Sequence, residues 1–330
     1  MNLVQLTEPS LTTESDTRKR AEDLRAKRAP FVVATVVHAE RPTAARPGST
    51  AIVLDDGTIS GFVGGTCAEA SVRLQALKAL ETGQPVLLKI APDPASQDES
   101  SSEPGVVVAR NPCLSGGRLE IFLDPVLPPP LLGVHGDSPI AVALLRMASQ
   151  VGYAALASSN MAAGAGEPAY DGVAAVVVAS HGRDELTHLR AALDSGVAYI
   201  GLVASPRRGR AVLEELALGE LERKRIHTPA GLDIGARTPG EIALSILAEI
   251  VALRPLAAAE LDPARRAMDA SGSVSQGSAL QGEGLDPVCG MAVAISEATL
   301  SASFEGSTYW FCGSGCRQAF MADPAGMLNK

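Results

Sequence analysis

The sequence predicts an α/β protein with two large domains and a small C-terminal module. Strand and helix patterns alternate between residues 131 and 254, which is typical of a doubly wound parallel sheet. A chain of 330 residues also exceeds one average domain of about 100–200 residues. Nearly half of the aromatic residues lie after residue 284, which indicates a separate small core in that part of the chain.

Residues 16–127 form the predicted N-terminal α/β domain. A charged helix precedes the strand FVVATVVHAE, and AIVLDDGTISGFVGG predicts a hairpin with Asp56 and Gly57 at its turn. Apolar residues at helical spacing then run from Cys67 to a glycine stop, and three further strand patterns follow. The proline-rich segment DPVLPPP cannot continue a strand and ends the domain.

Residues 131–254 form the predicted parallel-sheet domain. Its short apolar stretches LLGVHG, YAALASS, VAAVVVAS and VAYIGLVAS are separated by helical patterns. The last helix is predicted to start at Thr238, with Pro239 at its first position and Glu241 three residues after the cap. Residues 255–284, rich in Ala, Ser, Gly and Gln, are predicted to be a flexible linker to the module at residues 285–330.

Charge and hydropathy exclude two classes of partner. A net charge of −9 argues against binding of nucleic acid, which requires clustered Lys and Arg. No apolar run has the length of a signal peptide core or a membrane span, so we expect a cytoplasmic protein that does not bind membranes. In that reducing environment the five cysteines are expected to bind metal or carry out chemistry rather than form disulfides.

Three cysteines in the last domain predict a metal site. Cys312 and Cys316 are four residues apart, which places both on one side of a helical turn, and Cys289 lies on a glycine-flanked turn earlier in the module. Three thiolates suit a soft ion, copper as Cu(I) or zinc, and the alternative is three buried thiols in a small core. The motif DPVCGM, the aromatic pair before Cys312 and the CxxxC spacing resemble the YHS domain of heavy-metal proteins.

Loops that follow the parallel strands predict a site for an anionic ligand. The loops GDSP, SHGRD and SPRRGR converge at the carboxyl edge of the sheet, where such folds bind ligands. Helix starts with a serine cap and a first-turn proline attract anions, and arginines add positive charge. The alternative is a solvated basic loop. The residues predicted to contact the ligand are Gly136, Ser138, His181, Ser205, Arg207 and Arg208.

A nicotinamide dinucleotide is disfavoured at this edge. The pattern GxGxxG is absent, and the second strand ends in Ser158 and Ser159 where an acidic residue would hold the ribose.

Two cysteines in the N-terminal domain are predicted to share a site. Cys67 lies where a glycine-rich turn meets a helix, and a helix N-terminus lowers a thiol pKa. Cys113, in NPCLSGG, has a similar setting, and the alternative is that each thiol is inert. The other residues of this predicted site are Gly64, Gly65, Glu69, Gly116 and Gly117.

Several motifs together resemble the XdhC/CoxI family, the maturation factors of molybdenum hydroxylases. They are GFVGGTCAE, NPCLSGG, SHGRDE, AYIGLVASPRR and IHTPAGLDIGARTPGEIALSILAEIV, the last containing Asp233. The resemblance covers residues 20–254 and implies a Rossmann-like second domain and a homodimer. It implies a chaperone rather than an enzyme, which binds the molybdenum cofactor (molybdopterin), with Asp233 among the cofactor-binding residues.

The same resemblance implies two partners. A cysteine desulfurase or sulfurase acts on the sheltered cofactor, and an apo molybdenum hydroxylase large subunit, of xanthine dehydrogenase or carbon monoxide dehydrogenase type, receives it. The usual GAGH turn of the family is replaced here by GDSP. Two other functions stay open at this point: a nucleotide-dependent oxidoreductase, and a heavy-metal-binding docking protein whose C-terminal module handles copper or zinc.

Overall fold

The computed structural model describes residues 14–92, 104–110, 117–157, 162–163, 167–253 and 280–328. The chain divides into two compact units, one of residues 1–128 together with 256–330, and one of residues 129–255. The C-terminal module therefore belongs to the same unit as the N-terminal domain. No helix in these described ranges is long and apolar enough to cross a lipid bilayer.

The N-terminal domain is a mixed sheet covered by one long helix. Its elements are α1 (Glu14–Ala26), β1 (Phe31–Glu40), β2 (Thr50–Leu54), β3 (Ile59–Gly61), α2 (Thr66–Thr82), β4 (Val86–Ala91), β5 (Val106–Arg110) and β6 (Arg118–Val126). The strand order is β3-β2-β1-β6-β4-β5, antiparallel except for β4 and β5. The predicted hairpin is confirmed, since β2 pairs with β3 around Asp56 and Gly57.

Helix α2 begins and ends where the sequence predicts. Gly65 is its N-cap and Gly83 its C-cap, the latter at a φ of 68° that favours glycine. One face of the helix packs Ala68, Val72 and Ala76 into the core of the sheet. A second face is buried as well, against the C-terminal module.

The second unit is a parallel five-stranded sheet with helices on both faces, which confirms the predicted fold class. Its elements are β7 (Leu131–His135), α3 (Pro139–Met147), β8 (Ala154–Ala157), β9 (Ala162–Ala163), β10 (Glu167–Pro168), β11 (Val173–Val178), α4 (Glu185–Asp194), β12 (Tyr199–Leu202), α5 (Pro206–Glu215), α6 (Glu220–Arg223), β13 (Ile226–His227) and α7 (Pro239–Leu253). The strand order is β13-β12-β11-β7-β8, with every pair parallel.

The strand order places a topological switch point between β7 and β11. One hydrophobic cluster, with Leu144 and Ile246, packs α3 and α7 on one face of the sheet. The other cluster, with Leu189 and Val212, packs α4 and α5 on the opposite face. Helix α7 begins with the predicted cap, because the Thr238 side chain accepts the Glu241 N–H and the Glu241 carboxylate accepts the Thr238 N–H.

The C-terminal module consists of two antiparallel hairpins and two short helices. These are β14 (Gly282–Leu285), β15 (Ala292–Ile295), β16 (Leu300–Phe304), β17 (Ser307–Phe311), α8 (Ser314–Ala322) and α9 (Pro324–Leu328). Phe320 of α8 is buried against Phe304, Tyr309 and Phe311, so aromatic side chains supply this core. Strand β14 begins at Gly282, inside the predicted linker, while residues 254–279 lie outside the described residues.

We predict that Gly136→Ala destabilises the second unit more than Gly152→Ala. Both glycines have positive φ, 114° and 80°, so both variants bear a conformational cost of about 1 kcal/mol. A Cβ at Gly136 would also lie 2.6 Å from the carbonyl carbon of Ala179, whereas one at Gly152 meets nothing within 4 Å. The overlap adds about 1–3 kcal/mol to the loss of unfolding free energy, measured by urea denaturation. Equal losses in the two variants would contradict the tight packing at Gly136.

Candidate functional site

A cavity of about 660 Å³ lies at the carboxyl edge of the parallel sheet. Its volume is typical of small-molecule sites. The cavity is bounded by the start of α5, by the segment that follows β13 and by the loop after β11. Four of the predicted ligand-contacting residues line it: His181, Ser205, Arg208 and Asp233.

Glu185 fixes the positively charged wall of this cavity. Its carboxylate, which is 4% exposed, lies 2.6 Å from Nη2 of Arg208 and accepts the N–H of Gly182 at 2.6 Å. The Ser205 side chain caps α5 by accepting the N–H of Arg208 at 3.4 Å. The His181 loop, the helix start and the guanidinium are thus held together, and the first turn of α5 presents N–H groups to an anion.

Glu249 holds the segment that forms the opposite wall of the cavity, through hydrogen bonds to Gly231 and Tyr199. Its Oε2 accepts the N–H of Gly231 at 2.7 Å and the hydroxyl of Tyr199 at 2.6 Å. His227 stacks on the Tyr199 ring with a centroid distance of 4.6 Å. Burial raises the pKa of Tyr199, and the hydrogen bond to Glu249 raises it further, so the hydroxyl stays a donor. The segment from Pro229 to Ala236 therefore rests on a rigid polar base.

Three of the predicted ligand-contacting residues do not line this cavity. The backbone of Gly136 abuts Ala179 and Ser180, and the 3% exposed Ser138 caps α3 by accepting the Ala141 N–H at 3.1 Å. Arg207 is exposed and absent from the lining. An ion pair of Asp137 with Arg183 also joins the loops after β7 and β11. Protein contacts therefore occupy the switch point, and the cavity lies beside β12 and β13.

The N-terminal domain presents Cys67 at a helix start. Cys67 is the second residue of α2, half-buried, and follows the predicted Gly64 and Gly65 turn, where Gly64 has a φ of 142°. Burial raises the pKa of the Glu69 carboxyl, while the nearby Arg73 guanidinium lowers it. A helix start is a position at which thiols serve as metal ligands or nucleophiles.

The second half of the predicted thiol site lies largely outside the described residues. Cys113 and Gly116 belong to the segment 111–116, which the structure does not describe. Gly117 is described, and a Cβ there would lie 3.0 Å from the carbonyl oxygen of Glu40. Leu119, two residues further on, packs at the Gly64 turn, since its Cδ1 lies 3.1 Å from a Cβ built at Gly64. The pairing of Cys113 with Cys67 stays a prediction.

The three cysteines of the C-terminal module lie together. The Sγ atom of Cys312 is 3.7 Å from that of Cys289 and 3.6 Å from that of Cys316, so all three are free thiols. A tetrahedral ion with bonds of about 2.3 Å to sulfur separates its ligand atoms by about 3.8 Å.

The pKa values of the thiols differ within this cluster. The hydrogen bond from Cys312 lowers the pKa of Cys289 to about 7, and burial raises the pKa of Cys316 to about 12. The spacing and donor chemistry fit a soft metal ion.

Asp286 joins this cluster and was missed by the sequence analysis. Its carboxylate lies with the three sulfurs in a group whose ligand atoms are all within 4.8 Å of one another. Asp286 is fully buried, and its two oxygens accept the N–H groups of Val288 at 2.9 Å and Cys312 at 2.8 Å. It therefore ties the turn of Cys289 to Cys312, which directly follows β17. Asp286 is the first residue of the motif DPVCGM, so its position three residues before Cys289 could have indicated a fourth member of the cluster.

Two segments of the chain match known protein families. Residues 132–250 match the XdhC Rossmann domain, and residues 24–91 match the XdhC and CoxI family. The first match contains the cavity, and the second contains β1 and the helix that carries Cys67.

Two curated proteins are similar to this chain. The uncharacterized protein YqeB of Escherichia coli (strain K12) is 26% identical over 260 residues, which are 71% of this chain and 45% of YqeB. A probable xanthine dehydrogenase subunit from Bacillus subtilis (strain 168) is 36% identical over 81 residues, which are 24% of this chain and 23% of that protein. The chain thus spans less than half the length of these relatives.

Solved structures are also similar to this chain, among them the following one. The crystal structure of a xanthine dehydrogenase from Bacillus halodurans is 18% identical and covers 73% of this chain and 97% of its own, with a TM-score of 0.35.

We predict that Glu185→Gln destabilises the second unit by roughly 2 kcal/mol, because the charge-assisted hydrogen bond to Arg208 is lost. Glu214→Gln, at an exposed position of α5, serves as the matched control and is expected to leave the stability almost unchanged. Urea denaturation of both variants measures the difference. A loss of the same size in both would show that the buried carboxylate does not organise this wall.

We predict that His188 makes stability depend on pH. Burial and the stacked His135 lower the pKa of His188 from 6.5 to about 4. The unfolded chain is then protonated first as the pH falls, so the stability from neutral His188 is complete above pH 6.5 and is lost toward pH 4. Wild type should therefore lose more unfolding free energy over this window than His188→Gln. Parallel losses in denaturant titrations would rule the contribution out.

Proposed function

We propose that the protein is an XdhC-like maturation factor that binds the molybdenum cofactor and delivers it to an apo molybdenum hydroxylase of xanthine dehydrogenase or carbon monoxide dehydrogenase type. The observation that carries this proposal is the cavity lined by His181, Ser205, Arg208 and Asp233. It lies within the segment that matches the XdhC Rossmann domain.

The chemistry of the cavity fits the two ends of a molybdopterin. The start of α5 and the Arg208 guanidinium suit its phosphate, because helix N–H groups and arginine both bind anions. The carboxylate of Asp233 suits the N–H donors of the pterin ring, and Leu232 and Ile234 supply apolar contact area. When bound, the cofactor supplies the molybdenum centre that the client hydroxylase uses.

The N-terminal domain carries thiols of its own that suit a soft metal such as molybdenum. Cys67 at the start of α2 is the described candidate, and Cys113 with its flanking Gly116 and Gly117 is the second. Glu69, which lies in the first turn of the same helix, stays a predicted member of this site. A homodimer and a sulfurase that acts on the sheltered cofactor complete the proposal.

The C-terminal module favours a second function, the binding of a heavy metal. Its three thiols and Asp286 form a compact donor set, as in the YHS-like module expected from DPVCGM and CxxxC. Copper or zinc are the candidate ions. A nucleotide-dependent oxidoreductase is not favoured. The backbone at Gly136, where a dinucleotide usually binds in such folds, packs directly against Ala179 and Ser180.

Cofactor binding is tested by isolating the protein from a host that makes molybdopterin. Release by denaturation should yield pterin fluorescence together with substoichiometric molybdenum. Arg208→Ala should retain roughly tenfold less pterin, since one charge-assisted contact to the phosphate is lost. Arg210→Ala is the matched control, because Arg210 is exposed on the same helix and does not line the cavity.

Other results of this experiment would contradict the proposal. Bound NAD without pterin would favour the oxidoreductase, and copper or zinc without pterin would favour the heavy-metal protein. Equal pterin retention by the wild type and Arg208→Ala would remove this cavity as the cofactor site.

A further inference from the structure

The C-terminal module is docked along helix α2 of the N-terminal domain. Leu74 and Leu77 of α2 form a buried cluster with Ala294 of β15. An ion pair between Lys78 and Glu283 lies at the edge of this contact. Burial of these apolar side chains stabilises the docked arrangement.

At the start of α2 the docking brings Cys67 to the thiol cluster. Cys67 packs against a buried group formed by Ala70 of α2 and Met291, Val293 and Cys312 of the module. Cys289 and Cys316 pack against the same group. The two cysteine-bearing segments run side by side, since a Cβ at Gly313 would lie 2.9 Å from Cγ2 of Thr66. All four cysteines within the described residues therefore belong to or pack against this group.

The three module thiols leave one position of a tetrahedral ion to be filled. The buried Asp286 has a carboxylate oxygen within 4.8 Å of the three sulfurs, but both of its oxygens already accept backbone N–H groups. Cys67 is half-buried and belongs to the surface on which the cluster rests. Soft ions also prefer sulfur ligands to carboxylate oxygens.

We infer that Cys67 is the fourth sulfur ligand of a zinc ion held by Cys289, Cys312 and Cys316. Each thiol that binds gives its proton to solvent, and no other bond is made or broken. The ion then fastens the module to the N-terminal domain. Zinc at this site and the use of Cys67 for a cofactor exclude each other, so release of the metal exposes the Cys67 thiol.

This inference rests on the metal site proposed for the module, and its test does not require the molybdenum cofactor. It is tested by titrating the reduced, metal-free full chain with Co²⁺, which reports tetrahedral thiolate binding through sulfur-to-cobalt charge-transfer absorption. Zn²⁺ affinity follows from competition against the bound Co²⁺. The variants are Cys67→Ser, Asp286→Asn and, as the matched control beside Cys67, Thr66→Ser.

We expect Cys67→Ser to lose about one quarter of the charge-transfer intensity and to bind Zn²⁺ at least about tenfold more weakly. Thr66→Ser should match the wild type, and Asp286→Asn should keep the full intensity because it retains four sulfurs. An unchanged spectrum and affinity in Cys67→Ser would overturn the inference. So would a loss of affinity in Asp286→Asn alone, which would make the carboxylate the fourth ligand.

Alkylation of the full chain gives a second readout. With Zn²⁺ bound, iodoacetamide should modify Cys67 as slowly as the three module cysteines, and in Cys312→Ser this protection of Cys67 should be lost. Rapid modification of Cys67 beside three protected thiols would overturn the inference. A wild type that binds neither Co²⁺ nor Zn²⁺ would instead refute the metal site of the module itself. Binding of Cu(I) alone, equal in wild type and Cys67→Ser, would count against Cys67 as a ligand.

Discussion

The burial of helix α2 on two sides is the constraint on which the first unit depends. One face, with Ala68, Val72 and Ala76, covers the mixed sheet, and the other, with Leu74 and Leu77, receives the C-terminal module. A helix that is apolar on both faces requires cover on both. Because the module supplies the second cover, the start of the helix and its cysteine lie beside the thiols of the module rather than in open solvent.

Carboxylates that are buried, as in Glu185 and Asp286, or half-buried, as in Glu249, organise the cavity and the thiol cluster in the same manner. Glu185 holds the N–H of Gly182, Glu249 holds that of Gly231, and Asp286 holds those of Val288 and Cys312. In every case the backbone that is held belongs to a loop carrying predicted site residues. A buried carboxylate is costly without such partners, so its hydrogen bonds and the loop conformation stabilise each other. The functional side chains are thereby positioned before any ligand binds.

The parallel sheet shows which features of the structure local sequence patterns can predict. Alternating apolar runs, the serine caps and the Thr238–Glu241 cap predicted the strands, the helices and the edge at which loops meet. They also predicted His181, Ser205 and Arg208 at the edge where the cavity lies, whereas Asp233 was expected only from the family resemblance. The position of that cavity was not predictable, because it depends on how closely the Gly136 and Ala179 backbones approach across two strands. Tyr199 and Glu249 were missed because their pairing spans distant elements.

Local patterns were sufficient to predict most helices and strands of the two large domains, the fold class of the second unit and the grouping of Cys289, Cys312 and Cys316, because helix period, caps and cysteine spacing are local properties. They did not predict β13, and they were wrong that the proline-rich segment cannot continue a strand, since β6 extends through residues 124–126 by pairing with β1. The docking of the module on α2 and the packing of Cys67 against this cluster depend on the tertiary structure. The physical reason is that such a contact joins residues far apart in the chain through the shape and apolar area of two surfaces, which no local spacing encodes.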